Sequence, residues 1–148
     1  MSVDVLTGTV IDRPTDLVWR FAMEPDNAPK WYTNIRSAEW RSPRPLQVGS
    51  RIAFLATFLG RRLAYTYQIT ELIPGRRLVM RTAEGPFPME TSYEFESLGR
   101  DRTRMRLRNR GQPTGFAAVF GPFVSWAMRR ENARDLARLK ELLEQERV

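Results

Sequence analysis

Two periods divide the chain: alternation at every second residue dominates from Val3 to Arg110, and three- and four-residue steps take over after Phe123. Val3, Val5, Thr7 and Thr9 alternate with Asp4, Leu6, Gly8 and Val10, which predicts a first strand over Val3 to Ile11. Asp12-Arg13-Pro14-Thr15-Asp16 then reads as a helix start, with Pro in the first turn and carboxylates near the positive end. Leu17, Val18, Phe21 and Ala22 give that helix a short apolar face. Pro25-Asp26-Asn27-Ala28-Pro29 ends it and begins a second short helical turn reaching Lys30-Trp31-Tyr32.

A long antiparallel meander follows. Ile35 to Arg41 is a candidate strand, ended by Ser42-Pro43-Arg44-Pro45, and Val48-Gly49-Ser50 turns into the next. Arg51 to Leu59 places Ile52, Phe54, Ala56 and Phe58 on one face, and Leu63 to Ile73 does the same with Leu63, Tyr65, Tyr67 and Ile69. Gly60-Arg61-Arg62 between them is a hairpin signal. Pro74-Gly75 makes the next turn, Arg77 to Ala83 the next strand, and Gly85-Pro86-Phe87-Pro88 a break. Met89 to Leu98 and Arg102 to Arg110 form the clearest hairpin: a Gly99-Arg100-Asp101 loop pairs Leu98 with Arg102. That register sets Glu96 opposite Arg104, Glu94 opposite Arg106 and Glu90 opposite Arg110, each favourable by about a few tenths of a kcal/mol.

Gly111 to Gly115 reads as a loop. Phe116, Val119, Phe120, Phe123 and Trp126 are dense in bulky apolar groups, with Gly121-Pro122 able to kink a helix there. Phe123 to Gln145 contains no Gly or Pro, and Ala133, Leu136, Leu139 and Leu143 make one face, so a terminal helix of about six turns is predicted. The fold class expected is α+β: a curved antiparallel sheet of six or seven strands wrapping one long helix, with two short helices after the first strand.

Length and composition narrow this further. The 148 residues suit one domain spanning 1–148, and 42% hydrophobic with 28% charged residues is an ordinary globular mixture. There is no Cys and no His, which removes Cys/His metal sites and every dyad or triad built on those residues. A general base must be Asp, Glu, Tyr or Lys. No Asp-rich calcium loop is present, so neither metal nor cofactor is expected. The net charge of +7 is almost all Arg, since only Lys30 and Lys140 are Lys. It either attracts an acidic partner or reflects genome composition. The Arg102 to Arg110 stripe lacks interleaved exposed aromatics, which argues against nucleic acid as partner. No signal-peptide pattern and no apolar run of about 20 residues occurs, so no transmembrane segment and a cytoplasmic location are expected. Monomer and homodimer both stay open.

The order of elements, together with Val18-Trp19, Asp26 through Trp31, Val48-Gly49-Ser50, Pro74-Gly75-Arg76-Arg77-Leu78 and the closing Arg129-Arg130 through Leu139-Lys140, resembles the START-like superfamily of helix-grip proteins, which includes polyketide cyclase/dehydrase and lipid-transport types. The resemblance covers essentially the whole chain. It implies a deep pocket between sheet and helix that takes a small hydrophobic ligand, either as a carrier or as a cyclase-type enzyme; an interaction module for an acidic partner is the third possibility. The pocket residues it implies are Phe54, Phe58, Tyr65, Tyr67, Met80, Tyr93, Phe95, Met105, Leu107, Phe120, Phe123 and Trp126. The same residues also serve as an ordinary core.

Six positions carry further chemistry. Tyr65 and Tyr67 share one strand face, where a hydroxyl can make a structural bond, contact a ligand or act as a general acid. Asn109 lies on the apolar face of its strand, and a buried amide needs a partner. Glu71 is in phase with Tyr65, Tyr67 and Ile69, so strict alternation aims a carboxylate inward as a potential base, while the nearby Ile73-Pro74 favours an outward turn. Arg129 and Arg130 lie between Trp126 and Ala133 in helix phase, so one of them either reaches the core side or stays solvated.

Overall fold

The computed structural model describes residues 3–58, 60–85, 88–112 and 121–145. The elements run β1 (Val3–Ile11), α1 (Thr15–Ala22), a single 3-10 turn (Pro25–Asn27), α2 (Ala28–Trp31), β2 (Ile35–Trp40), β3 (Arg51–Phe58), β4 (Arg61–Ile73), β5 (Arg77–Glu84), β6 (Met89–Ser97), β7 (Thr103–Gly111) and α3 (Gly121–Gln145). The seven strands form one curled antiparallel sheet in the order β1-β7-β6-β5-β4-β3-β2. The two short helices carry the chain from one edge strand, β1, to the other, β2. The sheet then returns as a meander and grips α3, the expected α+β helix-grip arrangement.

Local chemistry explains the joints. Between β4 and β5, Gly75 adopts φ 78° after Pro74, and the Arg76 N–H donates to the Ile73 carbonyl at 2.9 Å. A Pro followed by a left-handed residue is the signature of a type II turn. Met89 to Ser97 pairs with Thr103 to Gly111 in the register read from the sequence. Its charges pair on the outer face: Arg104 to Glu96 at 3.0 Å, and Arg110 to Glu90 at 2.5 Å. Glu90 also accepts from Arg81 at 2.7 Å, and these two arginines hold its carboxyl below the usual carboxylate range. Arg108 grips Asp4 with two hydrogen bonds of 2.8 and 2.6 Å. Glu94 does stand opposite Arg106, but its carboxylate bonds Arg77 of β5 instead, at 2.7 Å. The arginine stripe is thus largely tied up across the sheet.

The core lies between the concave sheet and α3. Leu136, Leu139 and Leu143 are sealed against Val3, Val5, Ile11, Val18, Met105 and Leu107. Polar clasps close this end: Lys140 Nζ donates to the Val10 carbonyl at 2.8 Å, and the Asp12 N–H donates to Glu144 at 2.8 Å.

Two open facings are decided here and one expectation needs correction. Glu71 points outward. A bulge between Ile69 and Glu71 leaves Thr70 unpaired, so Glu71 pairs with outward-facing Val79, and its carboxylate accepts from Arg77 Nε at 2.7 Å. One extra residue flips the face of everything beyond it. Arg129 and Arg130 are both exposed, with Arg130 lying 5.5 Å over the Trp126 ring. Ala133 is exposed too: the buried stripe of α3 runs Val124, Met128, Asn132, Leu136, Leu139, Leu143.

Leu139→Ala removes a side chain with no exposed surface. Urea unfolding should show a loss of about 2–5 kcal/mol, with the cavity term setting where in that range it falls.

Candidate functional site

Among the described residues the opposite end of the grip is not filled. α3 packs closely on β1 and on α2, and among the described residues no comparable contact joins it to β3, β4 or β5. The middle strands stand off from the N-terminal half of the helix, and a cavity of about 150 Å³ remains between them. That is large enough for a one- or two-ring molecule. Its floor is the inward face of β3 and β4: Ile52, Phe54, Ala56 and Phe58 from one strand, Leu63, Tyr65, Tyr67 and Ile69 from the other. Phe54 and Tyr65 are direct partners in the ladder, as are Ile52 and Tyr67. The far wall comes from Trp31 and Tyr32 of α2, and the roof from Met128, Glu131 and Asn132 of α3.

Most polar groups on this wall satisfy one another. The hydroxyls of Tyr32 and Tyr93 share a hydrogen bond of 2.5 Å. Thr91 Oγ1 donates to Asn109 Oδ1 at 2.6 Å, which gives the buried amide its partner, and the Thr91 hydroxyl also lies beside Tyr67. Burial pushes the Tyr67 phenol up to about 12, and pushes Tyr32, Tyr65 and Tyr93 up as well. All four phenols are uncharged near neutral pH, so they act as hydrogen-bond donors or proton donors rather than bases. Gly85 fits against the ring of Tyr65: a Cβ there would stand 2.5 Å from Cδ1.

Behind the Tyr32–Tyr93 pair lies Asp135, only 1% exposed. It accepts from the Thr33 backbone N–H at 2.8 Å and from Thr33 Oγ1 at 2.9 Å, tying the α2–β2 junction to α3. Burial raises its carboxyl to about 6; the Thr33 bonds oppose that rise, Glu131 adds to it and Arg134 reduces it. Among the described residues no group of three potential metal ligands occurs.

Of the residues singled out from sequence, Phe54, Phe58, Tyr65, Tyr67, Met80, Tyr93 and Asn109 line the cavity. Phe95, Met105 and Leu107 face the same concave side but sit at the sealed end. Phe95 packs edge-on against Trp19 of α1 at 5.1 Å, and Met105 and Leu107 have no exposed surface. Phe123 and Trp126 are 50% and 52% exposed, stacked on each other on the outer side of α3. They flank Val124, the first residue of the buried stripe, and lie off that stripe. Phe120 lies outside the described residues. Reading from sequence overlooked Trp31, Tyr32, Met128 and Asn132. The signal for Asn132 was present: Val124, Met128, Asn132 and Leu136 follow one another at four-residue steps, which places an amide inside an apolar helix stripe.

A family model described as polyketide cyclase / dehydrase and lipid transport matches residues 3–144. The chain belongs to that family. Among solved structures it is similar to the protein TTHA0849 from Thermus thermophilus, with 19% identity, a TM-score of 0.84 and coverage of 98% of this chain and 99% of that one. It is also similar to the Zhui aromatase/cyclase from Streptomyces sp. R1128, at 16% identity and a TM-score of 0.82, covering 98% and 95%. A START superfamily protein from Mycobacterium smegmatis aligns at 14% identity and a TM-score of 0.78, covering 96% and 97%. At these identities the likeness shows the fold. No curated protein matches the sequence. Among the described residues no helix of this family member is long and apolar enough to cross a membrane.

Asp135 makes a pH prediction. Its carboxyl holds a proton in the folded chain up to about pH 6, but in the unfolded chain only to about 3.8. The folded state therefore binds more protons in that window, and this group's contribution to stability falls as pH rises from about 4 to 6. Asp135→Asn should flatten that part of the stability profile measured by chemical denaturation. An unchanged slope contradicts a protonated, buried Asp135.

Proposed function

We propose that residues 1–148 fold as one helix-grip domain that binds a small hydrophobic molecule, of lipid, polyketide, isoprenoid or aromatic type, in the cavity beneath α3. The observation that carries this reading is the unfilled space. The aromatic side chains of β3, β4 and β6 line it without closing it, although a core of this size ordinarily packs to near-crystal density. The wall is apolar with a few converging hydroxyls, the usual composition of a small-molecule site. Family membership supports the same class of ligand.

An enzyme of cyclase type is the second reading. It is favoured by the hydrogen-bonded Tyr32–Tyr93 pair and by the fold shared with an aromatase/cyclase. A neutral phenol beside a ligand carbonyl donates a hydrogen bond that polarises it, while the upward shift of these phenols makes full proton transfer the harder role. With Glu71 outside, Tyr65, Tyr67, Tyr93 and Tyr32 are the groups in position. The paired outer arginines weaken the reading of a charge-driven interaction module.

The test is to block the space. Ala56 faces the cavity between its ladder partners Ile35 and Leu63. An Ala56→Phe variant should keep its thermal midpoint within a few degrees. It should bind the uncharged two-ring fluorescent probe 1-naphthylamine at least about tenfold more weakly. Equal probe affinity in a folded variant contradicts the cavity as the binding site.

A further inference from the structure

Two side chains that line the cavity each carry a buried donor with no acceptor. Trp31 Nε1 and Asn132 Nδ2 are buried, and neither has a hydrogen-bond partner among the described residues. Trp31 is 1% exposed and Asn132 5%. Both residues line the cavity, from two elements, α2 and α3, that pack on each other. A buried N–H without an acceptor is costly, and in native structures such a group calls for an explanation. Elsewhere on this wall Tyr32 is bonded to Tyr93 and Thr91 to Asn109, so the two orphaned donors stand apart from an otherwise satisfied surface.

The charges around the space point the same way. The chain carries +7, yet among the described lining residues there is no Arg or Lys. The ionisable groups that line it are carboxylic, Glu24 and Glu131, and Asp135 sits close behind Tyr32 and Tyr93. A ligand carboxylate would leave water, find no cation among the described lining residues and meet Glu131, Glu24 itself being bonded by Arg44 at 2.9 Å. A carbonyl oxygen leaves water at far smaller cost and accepts the waiting N–H groups.

Resting on the cavity as the binding site, we propose that it selects an uncharged ring compound bearing a carbonyl-type acceptor oxygen, held by Trp31 Nε1 and Asn132 Nδ2, and discriminates against the carboxylate of the same ring.

The experiment is competitive displacement of the two-ring fluorescent probe 1-naphthylamine by three matched compounds: 2-acetylnaphthalene, 2-ethylnaphthalene and 2-naphthoate. In the unaltered protein the ketone should bind at least about tenfold more tightly than the carboxylate. Asn132→Leu, which keeps the volume and removes the donor, should weaken the ketone about tenfold and leave the ethyl compound within about twofold. Trp31→Phe, which keeps an aromatic ring without the N–H, should shift the ketone-to-ethyl ratio in the same direction. A 2-naphthoate affinity equal to that of the ketone overturns the proposal. So does a ketone-to-ethyl ratio that neither variant changes, while the cavity itself stands. If the probe binds nowhere and none of the three compounds raises the thermal midpoint, the cavity reading falls and this inference with it.

Discussion

The seat of α3 on β1 is the constraint on which the rest depends. Leu136, Leu139 and Leu143 dock into the sealed end of the curled sheet, and clasps from Lys140 and Glu144 fix the helix there. A curled sheet cannot follow a straight helix along its whole length. Where β1 lies close beneath the helix the interior packs solid, and where β3 to β5 stand off a cavity opens. The site is a consequence of how the helix is held. α2 completes it by bringing Trp31 and Tyr32 across the gap, held to α3 through Thr33 and Asp135.

Charge and polarity are separated by the same architecture. Arginines on the convex face find carboxylates across the ladder, so the surface carries a dense network of individually weak pairs. Inside, Tyr32 pairs with Tyr93 and Thr91 with Asn109. Among the described lining residues Trp31 and Asn132 each keep a buried unpaired donor, and the proposed preference for an acceptor oxygen rests on that asymmetry.

The fold was legible because its determinants are local. Alternation fixes strands, Pro-Gly and Gly-containing turns fix their joints, and complementary Glu and Arg along β6 and β7 fix a register. The family resemblance then supplied the pocket. Its location was only half legible. Period two separates the concave from the convex face, so Phe54, Tyr65, Tyr67 and Met80 were placed on the right side. The same pattern carries no information on which end of the sheet the helix fills, so Met105 and Leu107 looked equivalent to them. Glu71 stayed open because alternation aims it inward while the turn ahead favours the outward face, and the bulge at Thr70 decides between them. Phe123 and Trp126 drew attention by size, whereas the residue that reports the cavity on α3 is a modest asparagine four residues from Met128 and Leu136.

The six methionines provide the most direct measurement. Met23, Met80, Met89 and Met128 line the cavity, whereas Met105 is sealed in the packed end with no exposed surface. Methyl NMR of protein labelled at methionine, titrated with 2-acetylnaphthalene, should shift the four cavity methyls and leave Met105 in place. Shifts that spare those four, or that fall on Met105 as strongly as on them, would contradict the account.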